Sequence, residues 1–108
     1  MPFLSKNSLR YYGFDSFDSD AITHAVFTRQ GGLSPKPWES LNVGASAMVL
    51  DDHQRVRNNR ILAFNALGRD PDSMYDVWQV HSADVICTQE PRPKDVPHLQ
   101  ADAILTDN

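Results

Sequence analysis

The chain has 108 residues, room for one domain and not for two. Hydrophobic residues at 41% and charged residues at 22% match an ordinary globular chain and exclude a disordered one. The net charge is -4, with 14 acidic against 10 basic residues, which excludes the basic face that nucleic acid as a partner would need.

Cys87 is the single cysteine, so no internal disulfide marks an oxidising compartment. The start, MPFLSKNSLRYYGF, lacks the apolar core of a signal peptide. No run approaches the ~20 apolar residues that span a bilayer. The sequence therefore predicts a soluble cytoplasmic protein with no membrane partner.

In chain order, Leu9 to Phe14 is aromatic-rich and predicts a first strand or edge segment. Asp15 to Asp20 is a polar turn. Ile22 to Thr28, β-branched and aromatic, predicts a strand. It runs into Arg29-Gln30-Gly31-Gly32, where paired glycines permit backbone angles other residues resist. Pro35, Pro37 and Trp38 continue an irregular loop to Ser40-Leu41-Asn42-Val43-Gly44.

Asp51 to Leu67 is the main predicted helix. Asp51 or Asp52 can cap its start, and Gly68 sits where helices end. Val56, Asn59, Leu62, Ala63, Ala66 and Leu67 share one face, with Arg60 at its margin. Ile61 and Phe64 fall off that face, which implies a second contact or some exposure.

After a turn at Arg69 to Ser73, Met74 to Val80 and Ala83 to Thr88 predict two strands. Val80-His81-Ser82 between them is a tight turn or a bend in one continuous strand. Glu90 to Pro97 holds three prolines and is a loop, and Ala101 to Thr106 predicts a short strand. Strands, one helix, then strands imply an α+β fold with a mixed or antiparallel sheet.

The sequence has no phosphate loop of Walker type, dinucleotide glycine fingerprint, HExxH, CxxC or nucleophile elbow. Its histidines are too scattered for a local zinc motif. His81 reads as a half-buried strand-end histidine or as a metal ligand or general base. On a strand, Gln79 would share its face. Arg29 reads as a solvated arginine before a turn or as an anion contact. Arg60 needs water or a partner, either an aspartate such as Asp84 or Asp102, or a substrate. Asn42 is a turn residue or an amide that reads a polar ligand edge. Cys87 is expected buried as a small apolar residue, since nothing basic nearby would activate it. Trp38 and Trp78 are expected in the core or at its edge.

HAVFTRQGGLS, PWESLNVG, DDHQRVRNNR, WQVHSADV and ADAILTD, in that order, closely resemble the N-terminal part of the laccase-domain family. That family is also called YfiH-like, polyphenol oxidoreductase laccase or bacterial purine nucleoside phosphorylase. The resemblance runs from about His24 to the last residue. It implies an α+β protein with a mixed sheet, and phosphorolysis of purine nucleosides with adenosine deamination at the same site. It also implies a zinc held by two histidines and one cysteine, with copper-dependent phenol oxidation as an alternative. His81 matches the first metal-site histidine. Arg29 and Arg60 match positions implied to be catalytic, and Ser40, Asn42 and Gln79 positions implied to bind substrate.

The family cysteine lies in a Thr-Ala-Asp-Cys stretch and the second histidine in a His-Ala-Gly-Trp-Arg stretch. Neither stretch occurs in these 108 residues, and Cys87 does not stand in for that cysteine. Residues 1–108 are thus expected to be a single partial domain, inactive in this form and without bound zinc, whose partners in the longer protein are a purine nucleoside and phosphate. Such a portion is expected to self-associate through exposed strand edges. A stand-alone, non-catalytic α+β binding domain is the competing expectation.

Overall fold

The computed structural model describes residues 3–17, 22–44 and 50–106. The chain divides into two compact units, residues 1–69 and 70–108. The class is α+β as expected. Antiparallel and parallel pairing both occur, in separate sheets.

The first unit opens with a three-stranded antiparallel sheet. Its strands are β1 (Phe3–Lys6), β2 (Leu9–Tyr12) and β3 (Val26–Phe27), in that spatial order. The sequence reading missed β1, whose four residues are all exposed and carry no burial pattern. It forms because Asn7 and Ser8 turn the chain with φ of 52° and 71°. Two successive left-handed residues match the twist of a two-residue hairpin, and asparagine tolerates that region. Cross-strand aromatic partners stiffen the sheet: Phe3 meets Tyr12 edge-on at 5.3 Å, and Tyr11 meets Phe27 at 5.7 Å. β3 is shorter than the expected Ile22–Thr28 strand: its ladder pairs are Val26 and Phe27, and just beyond them the Thr28 amide and hydroxyl reach the Arg10 carbonyl at 2.9 and 2.7 Å. The polar turn expected from Asp15 begins as a short 3-10 segment, Asp15–Phe17, and its remainder lies outside the described residues.

Helix α1 (His53–Ala66) follows. Asp52 is its N-cap, accepting from the Gln54 and Arg55 amides at 2.8 and 3.2 Å. At the far end, Gly68 has φ 67°. Its amide donates to Asn65 O and that of Arg69 to Phe64 O, both at 3.0 Å. This crossed pair satisfies carbonyls the helix leaves open, as a left-handed glycine allows. The expected face is the buried one: Val56, Asn59 and Ala66 are enclosed, and α1 packs on β2, whose Leu9 is fully buried. Burying a valine or leucine contributes ~1.5–3 kcal/mol. Leu62, Ala63 and Leu67 on that face are only half-buried, as are Ile61 and Phe64 off it, so the packed stripe is narrower than the expected face.

The second unit holds a two-stranded parallel sheet of β4 (Val85–Cys87) and β5 (Ala103–Leu105). Parallel strands need a long crossover. Here the proline-rich segment between them supplies it without a helix. Arg92 anchors that segment. Its Nε donates to Asp76 Oδ1 at 2.8 Å, and its Nη1 donates to Val96 O at 2.7 Å. His98 Nε2 lies 2.9 Å from Asp76 Oδ2. Burial opposes ionisation of Asp76, but the Arg92 and His98 contacts outweigh it and hold its carboxyl below the usual range.

Three expectations fail in this unit. No strand forms over Met74–Val80; only Trp78 makes an isolated parallel bridge, to Gln100. Trp78 is 54% exposed, outside any core, while Trp38 in the first unit is half-buried. Cys87 is exposed rather than buried. The run Val85–Cys87 is apolar on both faces. Side chains alternate along a strand, so Ile86 and Ile104 turn to the better-covered face and Cys87 shares the other with Val85. Among the described residues, no helix is long and apolar enough to cross a membrane.

Candidate functional site

Four of the six candidate residues gather where the 29–44 loop meets α1. Arg29 offers its carbonyl to three donors: the Ser40 and Leu41 amides at 2.8 Å and Ser40 Oγ at 3.0 Å. Ser40 Oγ also accepts from the Gly32 amide at 3.0 Å, and Ser40 O from the Ser34 amide at 2.9 Å. Ser40 thus folds the loop back on its own start. The Arg29 side chain is exposed.

Asn42 belongs to a polar cluster centred on Asn59 and Asp51, both buried. Asn59 Oδ1 accepts from the Leu33 amide at 2.8 Å. Its Nδ2 donates to Ser34 Oγ and Asn42 O, each at 2.9 Å. Ser34 Oγ donates to Asp51 Oδ2 at 2.5 Å, and Asn42 Nδ2 to the same oxygen at 3.2 Å. Asp51 Oδ1 accepts from Arg55 Nε at 3.0 Å and from the Asp52 amide at 2.8 Å. Burying polar groups is costly unless each is bonded. Among the described residues, no buried side-chain nitrogen or oxygen lacks a partner. Arg60, half-buried at the margin of the helix face, donates from Nε and Nη2 to Val43 O at 2.9 and 2.8 Å. The loop carbonyls of Asn42 and Val43 are thereby pinned to α1 from two positions one residue apart.

The Ser34 hydroxyl, foremost among these donors, lowers the Asp51 carboxyl from an ordinary 3.8 to about 2. A depressed carboxyl contributes stability that is complete above its unfolded pKa and lost as pH falls through its folded one. Stability from Asp51 should thus be constant above about pH 4 and vanish toward pH 2. Chemical denaturation of the wild type and Asp51→Asn across pH 2–5 checks this. The difference between the two should shrink as pH falls; a constant difference would refute it.

Gln79 and His81 lie in the second unit, both exposed. They do not share a strand face, since no strand runs through them. The chain is paired at Trp78↔Gln100 and again at Val85↔Ala103. Residues 79–84 span on one side what residues 101–102 span on the other, so the longer side must loop out. His81 stands on that excursion with φ 59°. A left-handed conformation costs a non-glycine residue ~1–2 kcal/mol. Asp102 offsets the cost. Its Oδ1 accepts from the Val80 and His81 amides, each at 3.0 Å, and its Oδ2 from the Ser82 amide and Ser82 Oγ. Successive amides converging on one anion form a nest. Ser82's hydroxyl first, and then these amides, hold the Asp102 carboxyl below the usual carboxylate range. The Asp102 carboxylate is thus taken up by this turn.

A three-ligand zinc site needs two donors besides His81. Among the described residues, no group of three His, Cys, Asp or Glu side chains is placed to hold a metal ion. His81, expected as a metal ligand, thus has no such set of companion donors around it among the described residues.

Ser34, Asp51, Asn59 and Asp102 organise these residues yet are not among the sequence-derived site candidates. Asn59 left a signal, an amide on an otherwise apolar helix face. Asp102 left a fainter one, a lone carboxylate inside ADAILT.

An α+β chain with a polar loop–helix junction and an exposed histidine on a braced turn is the class these features define. The chain belongs to the multi-copper polyphenol oxidoreductase laccase family, whose model matches residues 23–108. It is 43% identical over 84 residues to a purine nucleoside phosphorylase of Streptomyces coelicolor, covering 77% of this chain and 34% of that protein. A purine nucleoside phosphorylase of Corynebacterium glutamicum is 38% identical over 95 residues, covering 85% of this chain and 37% of that protein. One of Streptomyces griseus is 38% identical over 84 residues, covering 77% and 33%. The chain thus spans about a third of the length of these relatives.

Proposed function

We propose that this chain is the front portion of a purine nucleoside phosphorylase, acting on a purine nucleoside and inorganic phosphate. The 43% identity to the Streptomyces coelicolor protein of that name carries the reading. Arg29 is the phosphate contact in this proposal: its backbone is fixed by Ser40 while its guanidinium faces solvent, suited to bidentate binding of an oxyanion. Arg60, already donating to Val43 O, holds the loop beside it. Asn42 and Ser40 shape that loop, and Gln79 contacts substrate near His81. His81 is proposed as a zinc ligand whose companions lie outside the described residues, so that these 108 residues alone are inactive. Adenosine deamination at the same centre belongs to this reading.

The complete gene product, assayed with inosine, should release hypoxanthine only when phosphate is present. Arg29→Ala should raise the phosphate KM about tenfold or more, the loss of a bidentate charge-assisted contact. Release independent of phosphate, or none, would sink the proposal. The family description favours a second reading, copper-dependent phenol oxidation. A phenolic substrate with copper, run in parallel, separates the two: turnover there without phosphorolysis selects the oxidase.

A further inference from the structure

We propose that Asp102 is a positioning residue for His81, a role that rests on the functional reading of His81 above. Between the two paired points of the second unit, the longer side loops out, and His81 rides that excursion in a left-handed conformation. Glycine or asparagine would suit that conformation better. The histidine standing there has its side chain exposed, so the turn holds the imidazole out toward solvent.

What holds the presentation is one carboxylate. Asp102 gathers the amides of Val80, His81 and Ser82 and the Ser82 hydroxyl, so the residues on both sides of His81 are tied to the same group. Asp102 is itself fixed on both sides. The Ala101 amide donates to Trp78 O, and the Asp102 amide donates to Asp84 O, each at 3.1 Å. The Ser82 hydroxyl also accepts from the Asp84 amide at 3.1 Å, which closes the turn behind His81. Asp102 touches no reacting group. It sets φ of His81 and therefore the direction in which the ring leaves the backbone. Misplacing a reacting group by about an ångström costs on the order of a hundredfold in rate.

The test compares wild type, Asp102→Asn, Asp102→Ala and His81→Gly in the complete gene product. Three-bond couplings of selectively labelled His81 report φ and χ1 without reference to activity. The wild type should show a positive φ and one side-chain rotamer. Asp102→Ala should average both and speed amide exchange at residues 80–82 about tenfold or more. Its kcat for inosine phosphorolysis should fall about tenfold or more, with KM changed less than about threefold. Asp102→Asn keeps one acceptor oxygen and should recover part of each. His81→Gly should retain or gain stability while losing activity. Averaged couplings in the wild type, or unchanged kcat in Asp102→Ala despite a disordered turn, would overturn the proposal. Ordered couplings that Asp102→Ala abolishes, in a wild type without phosphorolysis, would instead remove the phosphorylase reading and leave Asp102 as the residue that positions His81.

Discussion

Asn59→Leu should destabilise the first unit by about 3 kcal/mol, although it replaces a buried amide with a side chain of similar volume on an apolar helix face. The substitution looks favourable on the helix alone, because leucine has the higher helix propensity. Packing reverses that preference. Leucine would leave the Leu33 amide, the Asn42 carbonyl and one side of the Ser34 hydroxyl without the amide that now joins them. Each unmet buried group costs ~1–3 kcal/mol, against ~1 kcal/mol recovered from added apolar burial. The loss should also spread. Ser34 is the main donor to Asp51, so loosening it weakens the Asp51 contacts to Asn42 and Arg55. Urea denaturation checks the magnitude, and amide exchange at residues 33–44 checks the spread. A variant as stable as wild type would show that the network is not what holds the loop to α1.

Gly31→Ala should be more severe, about 4 kcal/mol, enough to unfold a small unit with a modest core. Two penalties coincide at Gly31. Its φ is 91°, a region side chains resist. A Cβ there would also drive into the Ser8 carbonyl and lie 2.9 Å from Leu9 Cα. Neither obstacle can swing aside, because both belong to the hairpin backbone. Ser8 Oγ donates to Gly31 O at 3.1 Å, so the two turns are bonded as well as touching. Gly68→Ala is the internal control. Its φ of 67° is similarly left-handed, but a Cβ there meets nothing within 4 Å. It should lose only ~1 kcal/mol. Thermal denaturation of the pair separates the terms. Equal losses at the two positions would mean that conformational strain, and not the approach of the β1–β2 hairpin, makes Gly31 necessary.

The helix was the most legible element. Its cap at Asp52, its face and its end at Gly68 all rest on local signals that short-range hydrogen bonds can satisfy. β4 and β5 were legible as apolar runs, but their direction was not, because strand pairing is non-local. β1 was illegible: Phe3–Lys6 becomes a strand only because β2 lies beside it. Cys87 shows the limit of an apolar run. Both faces of Val85–Cys87 look alike in sequence, and only the packing chooses which is outward.

The candidate residues divide in the same way. Arg29, Ser40, Asn42 and Arg60 lie within three separate motifs, and the fold brings them to one loop–helix junction, where Asn59 and Asp51, neither a site candidate from sequence, hold Asn42. For His81, Val80-His81-Ser82 left a turn and a bent strand equally open. The turn prevailed because the two chain segments between paired points differ in length.

The sequence by itself determined the α+β class, the capped helix and the family, because these follow from local periodicity, end signals and ordered motifs. Only the tertiary structure decided which polar groups meet. The Asn59 contacts and the Asp102 nest join residues that are 17 or more apart in the chain. Nothing in local propensity encodes such partners. Around the buried Asn59 they are selected by the cost of burying a polar group without one. At Asp102 they are selected by the looped-out chain that brings three amides to one carboxylate. Both arise only once the chain has packed.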